Sequence, residues 1–117
     1  MQESQREFLE SLLTTASPSG FETDGQRVWV DYVETFADEV TTDDYGNAVA
    51  VHEGSGEGPE VAFSGHADEI GFMVRDIDDN GFIRMSRIGG SDRTVSQGQH
   101  VTIHTGEGSV QGVVGQT

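Results

Sequence analysis

The stretch of sequence that decides the fold is Val61-Ala62-Phe63-Ser64-Gly65-His66-Ala67-Asp68-Glu69-Ile70-Gly71-Phe72. Its first three residues are apolar and predict a short strand. A histidine and two carboxylates follow directly after the end of this strand. In a sheet flanked by helices, ligands bind outside the carboxyl ends of the strands. We therefore predict that His66 lies at a strand end, where a ligand can reach it.

The spacing from His66 to Asp68 suits a metal ligand and its supporting carboxylate. One ring nitrogen of the imidazole can bind a metal while a carboxylate holds the other ring N–H and fixes the tautomer. The spacing leaves open whether Asp68 is that carboxylate or reaches the metal in another way. A lone His-x-Asp is also common by chance, so a surface or hydrogen-bonded histidine is the alternative interpretation.

The composition limits the classes of partner. The chain has 117 residues and a net charge of −15, with six arginines and no lysine. Such a charge argues against a nucleic-acid or membrane-surface partner, because phosphates would be repelled. An acidic surface without lysine is typical of adaptation to high salt, where repulsion is screened.

There is no cysteine, which excludes disulfides and thiolate metal sites. Met1-Gln2-Glu3 does not begin a secretion signal, and we expect a cytoplasmic protein.

The first 52 residues predict two helices and a hairpin. Apolar residues at helical spacing predict a helix over Glu3–Ala16, ended by Ser17-Pro18-Ser19-Gly20. A second helix is expected over Asp24–Ala37, with Thr23 and Gln26 forming a capping box. Its buried stripe comprises Val28, Trp29, Tyr32, Val33 and Phe36. Strands are expected over 39–43 and 47–52, joined by Asp44-Tyr45-Gly46-Asn47.

Beyond the motif the pattern becomes all-β. The turn Asp78-Asp79-Asn80-Gly81 predicts a hairpin of residues 72–77 and 81–88. Further strands are expected over 100–104 and 109–114, and short strands at this spacing indicate a small barrel or sandwich. We place a domain boundary near Gly71–Phe72. His100 and His104 share one strand face, but with no third ligand nearby we expect that face to be solvated.

Several stretches, in this order and at this spacing, resemble the start of the tetrahedral aminopeptidases, a family of co-catalytic metallopeptidases that includes glutamyl and deblocking aminopeptidases. The stretches are Ser17-Pro18-Ser19-Gly20-Phe21-Glu22, Asp44-Tyr45-Gly46-Asn47, 65–74, Gly81-Phe82, Ile88-Gly89-Gly90 and 98–104. Together they span nearly the whole chain, and the part from His66 to Val74 is the most specific. Ala67 stands where the family usually has methionine.

The resemblance implies a fold and two site residues. Residues 1–71 would be the N-terminal part of an α/β/α catalytic domain, with two helices and three strands. Residues 72–117 would begin an inserted, barrel-like β domain of the dimerisation type. His66 matches the family's first metal ligand, and Asp68 matches the active-site acid that orients or tunes it. The family's other ligands and its general-base glutamate match no position here.

The resemblance also implies an activity, cofactors and partners. The complete enzyme would use two divalent metal ions, zinc or cobalt, to remove N-terminal residues from a peptide substrate, and would form a homo-oligomer. This chain would be its N-terminal portion, truncated or split, inactive alone and a poor metal binder by itself. The alternative is a non-catalytic assembly or regulatory module related to such a peptidase. A third interpretation is a related co-catalytic exopeptidase or deacylase that also uses His-x-Asp. It is disfavoured because those families differ from this chain around Gly89-Gly90.

Overall fold

The computed structural model describes residues 1–115 and divides the chain into two compact units, Met1–Glu69 and Ile70–Thr117. Three helices and six strands are formed by these residues. They are α1 (Glu3–Thr14), α2 (Thr23–Val33), β1 (Glu39–Thr42), β2 (Ala48–Val51), β3 (Gly71–Ile77), β4 (Ile83–Ile88), α3 (Arg93–Ser96), β5 (His100–Thr105) and β6 (Gly108–Val113). The strands pair as three antiparallel hairpins, β1–β2, β3–β4 and β5–β6. None of the helices in the described part is long and apolar enough to cross a membrane.

The two helices of the first unit pack through aromatic side chains. The ring of Phe8 on α1 stacks on Tyr32 of α2 with centroids 3.8 Å apart, and Tyr32 meets Phe36 edge-on at 5.6 Å. Such pairs stabilise a contact beyond the area they bury. Val33, the residue after Tyr32 on α2, is buried at 5% exposure. The two predicted helices are confirmed, but their apolar faces are only partly buried: Leu13 of α1 is 74% exposed and Phe36 is 52% exposed.

The predicted capping box of α2 is wrong. Thr23 is already helical, and Glu22 is the N-cap, with backbone angles in the helical region (φ −78°, ψ −9°). The first helical bond runs from the Gln26 N–H to the Glu22 carbonyl at 2.9 Å. The Glu22 carboxylate instead accepts a bond from the Gly20 N–H at 2.6 Å. The helix therefore begins one residue earlier than the pattern predicted, and it ends at Val33, where residues 34–36 form a turn.

The β1–β2 hairpin forms as predicted, and its turn is built on Asp43. The Asp43 carboxylate accepts bonds from the N–H groups of Tyr45 and Asn47, both at 2.9 Å, and from the Asn47 side chain at 2.8 Å. Gly46 takes a positive φ of 85°, a conformation that favours glycine. These local bonds fix the register, in which Val40 pairs with Ala50 and Thr41 with Val49.

Asp43 gives this hairpin a pH dependence. The Asn47 side-chain bond, followed by the Asn47 N–H, lowers the pKa of the Asp43 carboxyl below its ordinary value. A pKa that is lower in the folded chain than in the unfolded one adds stability above the unfolded value, and this is lost as the pH falls through the folded value. We expect Asn47→Ala to raise the pKa of Asp43, measured by NMR titration of the side-chain carboxyl carbon. Tyr45→Ala is the control, because the Tyr45 bond to Asp43 comes from the backbone N–H and is kept. An unchanged Asp43 titration in Asn47→Ala would contradict the assignment.

The strand predicted over Val61–Phe63 is absent, so the first unit has two strands rather than three. Residues 52–68 form no ladder with any described strand. Phe63 is 97% exposed and Val61 is 70% exposed. A strand exists only through hydrogen bonds to a neighbour, and apolar residues of this kind suit a strand buried on both faces. The composition of the segment is that of a strand, but the described residues supply no partner for it.

The second unit consists of two hairpins and one short helix. In β3–β4, Phe72 pairs with Arg87 and Ile77 with Ile83, and the ladder is irregular between Val74 and Asp76. The Asp78 carboxylate closes the predicted turn by accepting from the N–H groups of Asn80 and Phe82. The β5–β6 hairpin is also confirmed. The described residues form no closed sheet, so the predicted barrel is not present in them.

Helix α3 was not predicted, since the sequence analysis assigned no element between the strands expected over 81–88 and 100–104. Asp92 caps it by accepting a bond from the Thr94 N–H at 2.9 Å. Among the described residues of this unit, Val114 is the buried apolar one, at 9% exposure. Its carbonyl accepts a bond from the Gly98 N–H, and its N–H donates to the Gln99 carbonyl. The contacts divide the chain at Glu69 and Ile70, whereas the domain assignment of 1–71 and 72–117 to a catalytic and an inserted domain stays a prediction.

Candidate metal centre

The motif is tied to the connection between α1 and α2. The Glu69 carboxylate accepts a bond from the Ser17 N–H at 2.8 Å, and the Glu69 N–H donates to the Ser17 carbonyl at 2.9 Å. The Ser19 N–H donates to the Glu69 carbonyl at 3.3 Å, and Pro18 and Glu69 form a parallel bridge. We call this set of bonds the Ser17–Glu69 bridge. It brings together two stretches that lie about fifty residues apart, and it ends the irregular segment that carries His66.

The geometry of His66 determines its tautomer. Its Nδ1 lies 2.9 Å from Oδ1 of Asp68 and 2.8 Å from the Asp68 carbonyl oxygen. Both neighbours are acceptors, so in the neutral imidazole the proton lies on Nδ1 and Nε2 carries the lone pair. The side chain is 84% exposed, and Nε2 makes no hydrogen bond within residues 1–115. An imidazole in this state is ready to bind a cation.

The Asp68 carboxylate is held at both of its oxygens. Oδ1 faces the imidazole of His66, and Oδ2 accepts a bond from the Ser19 hydroxyl. The Ser19 bond, followed by the bond from His66, lowers the pKa of the Asp68 carboxyl below its ordinary value. Asp68 therefore stays ionised and keeps accepting the hydrogen bond from Nδ1–H. Metal-binding histidines are commonly supported by a carboxylate in this way.

The other histidines lie apart from this pair. His52 Nδ1 lies 3.1 Å from the Asp38 carboxylate at the end of β2. His100 and His104 are exposed on β5, which is the solvated face that their spacing predicted. Within residues 1–115, no three His, Cys, Asp or Glu side chains are grouped so that they would hold a metal ion.

The donor set present fits one part of a metal centre. A neutral imidazole with a free Nε2 and a carboxylate on Nδ1 suits zinc, cobalt and similar divalent ions. A catalytic zinc site needs about three protein ligands and an open position. Of these, the His66–Asp68 pair could provide one ligand and its orienting group.

Two residues of this arrangement escaped the sequence analysis. Glu69 was given no role, and Ser19 was named only within the stretch that ends α1 and carries part of the family resemblance. The signal that would have found Ser19 is its place in a Ser-Pro-Ser-Gly connection, where a short hydroxyl side chain is free to bond a distant group. Nothing in the spacing joins it to Asp68, 49 residues away.

Comparison with known proteins identifies the family. A profile of M42 glutamyl aminopeptidases matches residues 46–117. The chain belongs to this family. Relatives include the Escherichia coli protein FrvX, 38% identical over 110 residues, and a Pyrococcus furiosus lysyl aminopeptidase, 36% identical over 110 residues. Each alignment covers 93% of this chain and about 30% of the relative: 30% of FrvX and 31% of the lysyl aminopeptidase.

Solved structures of the family share the fold of the described chain. A TET aminopeptidase from a marine sediment Thaumarchaeota archaeon is 32% identical with a TM-score of 0.89, covering 97% of this chain and 32% of its own. The Pyrococcus horikoshii TET1 peptidase is 30% identical with a TM-score of 0.78, covering 95% and 33%, and is described as assembling into a tetrahedron or a large octahedral shell. The resemblance to the tetrahedral aminopeptidases is thus confirmed, as is the α/β class of the fold. The chain spans about a third of the length of these relatives.

Proposed function

We propose that this chain is the N-terminal part of a metal-dependent aminopeptidase that removes N-terminal residues from peptides. Family membership supports the reaction class, and the relatives it aligns with include a protein named for lysyl aminopeptidase activity. The observation that carries the proposal is the His66–Asp68 pair. The Nδ1–H group of His66 is hydrogen-bonded to Asp68. Its Nε2 is left available to bind a metal ion.

The residues of the chain have separate roles in this mechanism. Two divalent ions, zinc or cobalt, supply an activated water and a polarised scissile carbonyl when bound. His66 holds one ion through Nε2, and Asp68 keeps the imidazole in the required tautomer and orientation. Further ligands and the general base come from residues outside this chain. The isolated chain is accordingly inactive, because one ligand does not make a catalytic site.

The proposal also covers the domain organisation, the subunit pairing and the cellular environment of the complete protein. The first unit is the start of an α/β/α catalytic domain, in which Val61–Phe63 becomes a strand. The second unit is the start of an inserted, barrel-like β domain. Apolar side chains exposed on its hairpins support subunit pairing, among them Ile77, Phe82 and Val113, and solved relatives are described as dodecameric or shell-forming. The acidic, lysine-free composition supports work in a salt-rich cytoplasm.

The test uses a chimera in which this chain replaces the aligned 110 residues of the Pyrococcus furiosus lysyl aminopeptidase. We expect the chimera to hydrolyse aminoacyl p-nitroanilides, to lose the activity in chelator and to regain it with zinc or cobalt. The 117-residue chain alone is expected to show no hydrolysis with either metal. Metal-dependent hydrolysis by the isolated chain would contradict the incomplete site. An assembled, metal-loaded chimera without activity would instead favour a non-catalytic assembly module.

A further inference from the structure

The connection between α1 and α2 is fixed more firmly than an ordinary surface loop. Ser17 is 6% exposed, although it is polar and lies in a connecting segment. Its N–H and carbonyl are both bonded to Glu69, at 2.8 Å to the carboxylate and 2.9 Å to the backbone. The loop is therefore anchored to the motif by the Ser17–Glu69 bridge and does not depend on its own turn alone.

Helix α2 fixes the same loop from the other side. Gly25, on the first turn of α2, is buried, and a β-carbon there would lie 2.0 Å from the Ser17 hydroxyl oxygen and 3.2 Å from its β-carbon. Only glycine allows the helix to approach this closely. Residues 17–19 are thus held between α2 and the motif.

The held segment places the Ser19 hydroxyl on Asp68. A carboxylate bonded at one oxygen still turns about its terminal torsion, which has a broad energy profile. Here the Ser19 hydroxyl bonds Oδ2 while the His66 imidazole bonds Oδ1. The second bond fixes the plane of the carboxylate, so the Asp68 oxygen stays directed at the Nδ1 proton.

We propose that Ser19 is a positioning residue for the metal ligand: held by the Ser17–Glu69 bridge, its hydroxyl orients the Asp68 carboxylate and so keeps His66 in the tautomer with a free Nε2. This rests on the proposed function, in which Nε2 binds a divalent ion. Ser19 itself touches neither metal nor substrate in this scheme. The chemistry it serves is the recognition of a divalent cation by a neutral imidazole.

The direct test measures the tautomer of His66 in the metal-free 117-residue chain. Imidazole ¹⁵N shifts are recorded at about pH 8, above the ordinary histidine range, and in molar NaCl. We expect the Nδ1–H form to predominate in the unchanged chain. In Ser19→Ala the ratio of the Nε2–H to the Nδ1–H form rises about two- to fivefold, as loss of one hydrogen bond implies. Ser19→Thr retains the hydroxyl and returns the ratio to within about twofold of the unchanged chain.

Two further variants separate positioning from general damage. Ser11→Ala removes an exposed serine of α1 and is expected to leave the His66 ratio unchanged. Gly25→Ala displaces Ser17 and is expected to move the ratio in the same direction as Ser19→Ala. The amide signals of Ser17 and Glu69 report whether the bridge persists. The proposal is overturned if Ser19→Ala keeps the original ratio, or if Ser19→Thr behaves as Ser19→Ala.

A second arm uses metal affinity in the chimera, measured by zinc competition with a chromophoric chelator. Ser19→Ala is expected to weaken zinc binding about three- to tenfold, less than the 10–100-fold typical of losing the carboxylate that directly supports a ligand. Unchanged affinity would also overturn the proposal. Because the tautomer is read without metal or substrate, an inactive chimera would refute the proposed function and leave the Ser19 result standing.

Discussion

Replacing His66 with alanine in the chimera is expected to lower kcat/KM by about 10³-fold or more. The variant would lose the proposed metal ligand. A metal ion contributes several kcal/mol to the stabilisation of the transition state, and each factor of ten in rate equals about 1.4 kcal/mol. Hydrolysis of aminoacyl p-nitroanilides at saturating zinc measures the effect. Asp68→Asn is expected to fall about 10–100-fold, because it disturbs the ligand without removing it.

His52 provides the matched control for this experiment. It lies in the same unit, is 69% exposed and also has its Nδ1 within 3.1 Å of a carboxylate, that of Asp38. His52→Ala is expected to retain activity within about twofold, since an exposed contact between two polar side chains contributes little. Equal losses in His52→Ala and His66→Ala would point to a general effect of removing histidine. Full activity in His66→Ala would remove the basis for the proposed metal centre.

The isolated chain is expected to be much more stable in molar salt than in dilute buffer. Its net charge of −15 is carried on 117 residues, and its buried apolar residues are Val33 and Val114 in the described part. Self-repulsion is screened over about 30 Å at 0.01 M salt and about 3 Å at 1 M. We expect the thermal midpoint, followed by circular dichroism, to rise by roughly 10 °C between these two concentrations.

Exposed apolar side chains predict a second difference between dilute buffer and molar salt. Leu13 is 74% exposed, Phe63 97% and Phe82 71%, and patches of this kind bind hydrophobic dyes and promote association. In dilute buffer we expect dye binding and poor solubility. The control variant replaces three exposed glutamates by glutamine, Glu57, Glu60 and Glu107, and is expected to have a smaller salt response. A compact monomer with the same midpoint at both salt concentrations would contradict this expectation.

Local chemistry made the hairpins predictable from the sequence. Asp43 with Gly46, and Asp78 with Gly81, fix two turns through bonds between residues at most four positions apart. Antiparallel pairing follows directly from such turns. The amphipathic faces of α1 and α2 were predictable for a similar reason, since residues three and four apart lie on one side of a helix. Asp92 is a capping residue that sequence inspection could have used to find α3.

The features that sequence inspection missed depend on distant parts of the chain. Val61–Phe63 has a strand-like composition, but whether it forms a strand depends on a neighbour that the described residues do not contain. The Ser17–Glu69 bridge and the Ser19–Asp68 bond join residues about fifty positions apart, and no local pattern specifies such a pairing. The motif alone predicts His66 as a candidate metal ligand, whereas the Ser19 bond that holds the Asp68 carboxylate was visible only in three dimensions.

The most direct test of the proposed metal centre is the metal content of the assembled chimera, compared with that of its His66→Ala variant. Both proteins are loaded with zinc, passed through a desalting column and analysed by inductively coupled plasma mass spectrometry. If His66 binds one of two ions through Nε2, the variant contains about one zinc ion fewer per chain. Equal zinc content in the two proteins would contradict the assignment of His66 as a ligand.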